Sequence, residues 1–197
     1  SIVGISFLKT TYEEIEQLKS TLASSRETEK TVAVKTKKRY YEDTIPAIDI
    51  DTYKLIDLPV TIRDAKGMKV TFKRDKPHAY LLSKELGYLV DKLRILGLEV
   101  STLDNDKSLE VEAYKVIGYD RDETKYEKMN LQHVQTKTQT KTIVFPKGSY
   151  KVDVNQKNAG YLYEVLEPER PNSFVSFGVL ETSLNEELPI YRFTSKK

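Results

Sequence analysis

Tyr12, Ile15, Leu18 and Leu22 recur at helical spacing, which predicts one amphipathic helix from Thr10 to about Ser24. Glutamates come early in it and Lys19 late, as the helix dipole favours. Residues 25–39 turn charged and polar around the short run Val32-Ala33-Val34, the pattern of a linker leading into an edge strand. A boundary near residue 28 follows, with a helix and linker over 1–28 and a β-rich domain over 29–197. From Tyr40 to Lys76, Val60-Thr61-Ile62 and Met68-Lys69-Val70-Thr71-Phe72 alternate as short strands, and Lys66-Gly67 reads as a turn between them.

The run Ala79-Tyr80-Leu81-Leu82 is fully apolar, and Ser83 is placed to cap a following helix whose inward face is Leu86, Leu89, Val90, Leu93 and Leu96. Gly97 closes that helix at the position where a left-handed residue is usual. Leu98 to Leu103 and Leu109 to Ile117 alternate around Asp104-Asn105-Asp106-Lys107, which predicts a hairpin. Over 134–144 the even Val and Thr positions share one face and Gln or Lys the other, a solvated β-face with threonine supplying strand propensity. Phe145-Pro146-Lys147-Gly148 and Ser149 to Val154 then read as strand, turn and strand. Asn155 is placed to cap a last helix that turns Ala159, Leu162, Val165 and Leu166 inward, and Pro168 ends it by disfavouring helical geometry at Glu167.

Composition narrows the function classes. The 197 residues suffice for a sizeable core, and 32 basic against 30 acidic side chains leave a formal charge of +2, too little for a global field that recruits nucleic acid or an anionic membrane. The Lys- and Thr-rich strand also lacks the interleaved aromatics that stack on bases. There is no cysteine, hence no disulfide framework, thiolate metal site or cysteine nucleophile. No run approaches the roughly 18 apolar residues of a membrane span, and the N-terminus lacks the basic start of a signal peptide. The opening Ser1-Ile-Val-Gly-Ile-Ser-Phe-Leu has no initiator Met and starts apolar, which suggests a processed mature terminus or a fragment of something longer, and the fragment is the expectation.

Candidate chemistry is sparse. His78 and His133 have no acidic or histidine partner at a spacing that places both on one helix face, and no His-Glu-x-x-His or His-x-x-Glu is present. No Gly-x-Ser-x-Gly elbow and no Gly-rich phosphate loop is found. Glu167 and Glu169, flanking Pro168, have the look of an acid and base pair, yet acids at a helix end are ordinarily solvated, and the expectation is no catalytic and no metal-ligating residue in this chain. Thirteen tyrosines without tryptophan leave Tyr161 and Tyr163, with Phe174 and Phe177, as the candidate docking or binding surface.

The order Phe145-Pro146-Lys147-Gly148, Leu166-Glu167-Pro168-Glu169, Ser173-Phe174-Val175-Ser176-Phe177-Gly178 and Leu188-Pro189-Ile190-Tyr191-Arg192 resembles the region that follows the catalytic domain in bacterial zinc carboxypeptidase-like proteins. Pro77-His78-Ala79-Tyr80-Leu81-Leu82 and Leu93-Arg94-Ile95-Leu96-Gly97-Leu98-Glu99-Val100 extend it upstream, so that residues 68–193 are covered. Phe177 stands near the place where that family often carries Trp. The family's His-x-x-Glu, later His and catalytic Glu have no counterpart. The resemblance therefore implies a non-catalytic C-terminal accessory domain with no cofactor of its own, zinc being held by the parent's peptidase domain. That domain would be its partner, and a secreted, periplasmic or cell-surface setting follows. The expected fold is α+β: a mostly antiparallel sheet or sandwich with one or two short packed helices and an N-terminal helix. An extracellular module that binds carbohydrate or a protein partner is the alternative.

Overall fold

The computed structural model describes residues 12, 14–21, 24 and 28–194, the side chains at 65 and 66 excepted. Leu22, residues 25–27 and the apolar opening over residues 1–8 lie outside the described residues. Tyr12, residues 14–21 and Ser24 are helical, as the spacing predicts, with Tyr12, Ile15 and Leu18 exposed, and Thr28, expected in the linker, is helical as well. The chain divides into two compact units, one formed by residues 33–74 and the other by the rest.

The smaller unit is a two-stranded antiparallel ribbon made from most of β1 (Thr31–Ile48) and β2 (Leu55–Asp75). The expected polar linker is thus largely strand, because β1 runs on through Lys35–Arg39. Lys66-Gly67 does not turn the chain either. It sits inside β2, where the Gly67 amide donates to the Asp64 carboxylate at 2.8 Å. The turn is at the tip, where the Asp49 carboxylate accepts from the Asp51 and Thr52 amides at 2.9 and 2.8 Å. Those hydrogen bonds hold the Asp49 pKa below the ordinary carboxylate range.

The larger unit is built on a six-stranded sheet, ordered β4 (Ser101–Thr102), β7 (Tyr150–Asp153), β3 (Ala79–Leu82), β8 (Glu187–Phe193), β5 (Lys107–Arg121) and β6 (Gln132–Phe145). Every pairing recorded in it is antiparallel. This confirms the expected α+β, β-rich architecture. The hairpin expected around Asp104–Lys107 is not formed: β4 pairs with β7, and β5 pairs with β6 and β8. The alternation was real, but alternation does not choose a partner strand.

Residues 103–106 and 146–149 each link strands that stand four places apart in the sheet. A flat sheet would separate those strands by about 19 Å, whereas five Cα steps reach about 17 Å when fully extended. The sheet must therefore coil, and the Gly148 amide donates to the Leu103 carbonyl at 2.9 Å where the two links meet.

β3 occupies the middle of the sheet and is buried on both faces, which accounts for its unbroken apolar run. On one face Tyr80, Leu82, Tyr114, Val116, Leu188 and Ile190 pack with Leu89, Val90 and Leu93 of α1 (Gly87–Ile95) and with Leu162 and Leu166 of α2 (Ala159–Leu166). On the other face Leu81, Leu103, Val111 and Phe145 form a smaller cluster. Neither predicted cap works as expected. Ser83 precedes a single 3-10 turn (Lys84–Leu86) without a side-chain bond to it, and Asn158 rather than Asn155 precedes α2. Asn158 instead donates its amide to the carbonyls of Leu96 and Gly97, tying the end of α1 to the start of α2.

Gly97 has φ +75, and a Cβ added there would lie 2.6 Å from the Asn158 amide nitrogen. Gly97→Ala is therefore expected to lower stability by about 1–2 kcal/mol from the left-handed backbone alone, read as a lower urea midpoint with unchanged slope.

Candidate functional site

Strand β8 alternates inward Leu188, Ile190 and Arg192, and the last of these is a guanidinium, only 2% exposed, placed where a core residue belongs. A buried charge is tolerated only when it is paired and hydrogen-bonded. The sheet supplies the pairing by register, because Tyr80 of β3 and Glu112 of β5 stand directly beside Arg192 on either side. Arg192 bonds the Glu112 carboxylate and the Asp75 carbonyl through its two terminal nitrogens, and its Nε lies 3.3 Å from Glu167 Oε1. Tyr80 donates its hydroxyl to the same Glu167 oxygen at 2.6 Å.

Glu167 comes from the far side of the core. Helix α2 ends at Leu166, and Glu167 takes an extended ψ of 114 as Pro168 requires, which aims its side chain at β3 and β8 rather than at water. Its exposure is 0%, so the solvated acid expected there is a buried one. Glu169 turns the other way and accepts from the amide and hydroxyl of Thr136 on β6 at 2.9 and 2.8 Å. The Leu-Glu-Pro-Glu stretch therefore uses its two carboxylates on different strands, and they do not converge on one reacting atom.

A second buried polar side chain completes the arrangement. Gln132, at the start of β6, donates to the carbonyls of Val175 and Leu180 at 2.7 and 3.1 Å, and its own carbonyl accepts from the Thr182 amide at 3.3 Å. Ser173 and Ser176 close the same loop on the Pro168 and Arg170 carbonyls. The predicted solvated face of β6 is thus half right: His133, Gln135 and Lys137 are exposed, while Gln132, Val134 and Thr136 hold the segment 167–182.

The electrostatics are those of a closed network. Burial, and then Glu167, pushes the Tyr80 hydroxyl well above the ordinary tyrosine range. Burial opposes the charge on Arg192, but Tyr114, Glu167, Tyr80 and Glu112 together outweigh it and hold its pKa above the ordinary value. Tyr163, edge-on to Tyr80 with ring centroids 6.5 Å apart, is pushed up to about 12, chiefly by burial. Such groups exchange no proton near neutral pH, and the cluster is suited to locking α2 onto the sheet rather than to acid or base chemistry.

Of the four aromatic residues predicted as a surface, Tyr163 and Phe174 are in the core, Phe177 is half-buried edge-on to Tyr126, and Tyr161 is 57% exposed. His133 pairs with Asp122 at 2.8 Å on the surface, and His78 borders a cleft of about 390 Å³ with Glu29, Lys30, Lys76 and Asn155. A second cleft of about 410 Å³ shares Asn155 and is lined by Glu99, Ser101, Lys151 and Asp153. Among the described residues no group of three or more His, Asp or Glu is placed to hold a metal ion, and no helix is long and apolar enough to cross a membrane. Sequence reasoning missed Arg192, Glu112 and Gln132; for Arg192 the signal was present, a cation at the inward phase of an otherwise apolar alternation.

Comparison with known proteins places this geometry in a context. Carboxypeptidase 2 of Trichophyton tonsurans is 32% identical over 151 residues, which cover 77% of this chain and 28% of that protein. Carboxypeptidase 2 of Trichophyton equinum matches to the same extent. A probable carboxypeptidase 2 of Arthroderma benhamiae is 31% identical over 126 residues, 64% of this chain and 24% of its own length. The chain thus spans about a quarter of the length of the curated relatives it matches. These relatives are consistent with a carboxypeptidase-related region, and being fungal they lend the bacterial part of the resemblance no support. No family model matches the chain. No solved structure matches it either.

Removing one partner of a buried ion pair strands the other, so Glu167→Gln is expected to cost about 3–5 kcal/mol in denaturant unfolding. Tyr80→Phe loses a bond to a carboxylate and should cost about 1.5–3 kcal/mol, whereas Tyr163→Phe, whose hydroxyl has no hydrogen-bond partner among the described residues, should cost about 0.5 kcal/mol or less. The folded pKa of Tyr163 lies above its ordinary value of 10.0, so its contribution is complete below pH 10.0 and is lost as pH rises toward about 12. Unfolding midpoints should accordingly fall across that alkaline window, and fall less in Tyr163→Phe.

Proposed function

We propose that this chain is a non-catalytic C-terminal accessory region of a zinc carboxypeptidase-like protein, which docks on the peptidase domain and stabilises it or shapes access to its substrate. The observation that carries the reading is the match to proteins named carboxypeptidase 2 over only 24–28% of their length. The internal use of Glu167 and Glu169 supports it, because the acids that looked most like a catalytic pair are spent on holding α2 and the 167–182 segment to the sheet. On this reading residues 1–28 are the helix and linker that follow the peptidase domain. Zinc belongs to that domain, which is the partner of this region, and the whole protein works outside the cytoplasm or at the cell surface. Tyr161, with the half-buried Phe177, remains the candidate for contact with a partner.

The second reading, an extracellular module that binds carbohydrate or protein, is favoured by the exposed ring of Tyr161. Glycan-array binding abolished by Tyr161→Ala would support it; Tyr163→Ala is a poor probe because that ring is part of the core.

Two measurements test the leading reading. Purified chain should contain no stoichiometric zinc and turn over no peptide substrate, and zinc together with turnover would sink it. In the longer parent protein this region should melt at a higher temperature than it does alone, because binding to the folded state stabilises it; equal melting temperatures would count against docking.

A further inference from the structure

The six-stranded sheet ends at β6, and the outer edge of that strand is only partly used. Residues along a strand turn their backbone N–H and C=O alternately toward one neighbour and toward the other. Val116 of β5 spends its amide on Glu186 and its carbonyl on Asn185, so its partner Thr136 also bonds away from β5, and the Thr136 amide donates out of the sheet to Glu169 at 2.9 Å. The Gln132 amide likewise donates outward, to the Ser176 carbonyl at 2.8 Å. The register of β5 with β6 is unbroken from Thr136 to Phe145, so the same phase points the backbone of Thr138, Thr140, Thr142 and Val144 outward. None of these has an outward bond to any described residue. An open edge is a template for another strand, and chains ordinarily blunt it with Pro, a bulge or a charge. Here β6 holds no Pro, the bulge lies in β5, and Lys141 is neutralised by Glu187.

We propose that this edge pairs with the same edge of a second copy of the chain, antiparallel about a twofold axis at Thr140. Thr140 then exchanges both backbone bonds with Thr140 of the other copy, and Thr138 with its Thr142, each contact occurring twice where the axis does not pass through it, as an isologous interface requires. The sequence of the edge itself selects a second copy. In this register threonine stands opposite threonine at every bonded position, a favourable cross-strand pair, and Gln139 stands opposite Lys141. Moving the axis to Gln139 sets Lys137 against Lys141, and moving it to Lys141 sets that lysine against itself, like charges directly opposed. Moving it on to Thr142 trades threonine pairs for Thr140 against Val144. The ladder ends at Thr138 because the next outward amide, that of Thr136, is already taken by Glu169. So short an interface falls below about 1,200 Å², the range of weak and reversible association.

This interface goes beyond docking on a peptidase domain, and its test reads a different quantity. Sedimentation of the purified 197-residue chain over a range of concentrations should show a reversible monomer–dimer equilibrium. Thr140→Pro removes an amide that bonds nothing in the single chain, a change an edge strand tolerates, and should leave only monomer. Thr140→Lys and Thr140→Glu each oppose like charges on the axis and should weaken dimerisation about five-fold, whereas an equimolar mixture of the two variants should form a heterodimer tighter than either alone. Added salt should erase that preference. Thr140 is exposed, so the Lys and Glu variants should keep the wild-type melting profile, and they decide the matter even where Thr140→Pro melts early. A chain that is monomeric at every concentration overturns the proposal. So does a dimer that survives Thr140→Pro, or a mixture that associates no more tightly than its separate components.

Discussion

Burying the guanidinium of Arg192 is the constraint around which the larger unit is organised. A charge taken out of water is costly by several kcal/mol unless its partners are placed with good geometry, and here they come from three separated parts of the chain, Asp75, Glu112 and Glu167, with Tyr80 beside Arg192 donating its hydroxyl to Glu167. Strand register delivers Glu112, and Tyr80 to hold Glu167, while the end of a helix on the opposite layer delivers Glu167 itself. The pairing of β3, β8 and β5 and the docking of α2 are therefore coupled, since misplacing any one of these elements leaves a carboxylate or the guanidinium stranded. An apolar residue at this position would pack with fewer demands; a buried charge network ties one arrangement of the elements together.

The same logic extends to the 167–182 segment. It has no regular secondary structure, yet Ser173, Val175, Ser176 and Leu180 are buried, so its backbone polar groups need partners that a helix or sheet would otherwise provide. Gln132, Glu169 and the two serines provide them. The polar side chains with the strongest chemical appearance are thus structural, and the exposed features of the larger unit are Tyr161 and the clefts around Asn155.

Much of the element content was legible in the residues. The helical phase of Leu89, Val90 and Leu93, the stop at Pro168, the left-handed Gly97 and the unbroken apolar run of β3 are local matters, decided within a few residues by sterics, backbone geometry and periodicity. The inward phase of Arg192 was equally visible, although its meaning was not. Partner choice was not legible: β4 joins β7 rather than β5, and Lys66-Gly67 lies within a strand, because which strands pair depends on contacts far apart in the chain.

By itself the sequence determined a β-rich α+β chain with two short core helices, no thiol chemistry and no visible catalytic motif, since each of these rests on composition or on short-range pattern. Only the tertiary structure decided that Glu167 is buried, that Glu169 reaches a different strand, and that Arg192 is paired inside the core. Burial and charge pairing are properties of what surrounds a residue, and those surroundings exist only once distant segments have been brought together.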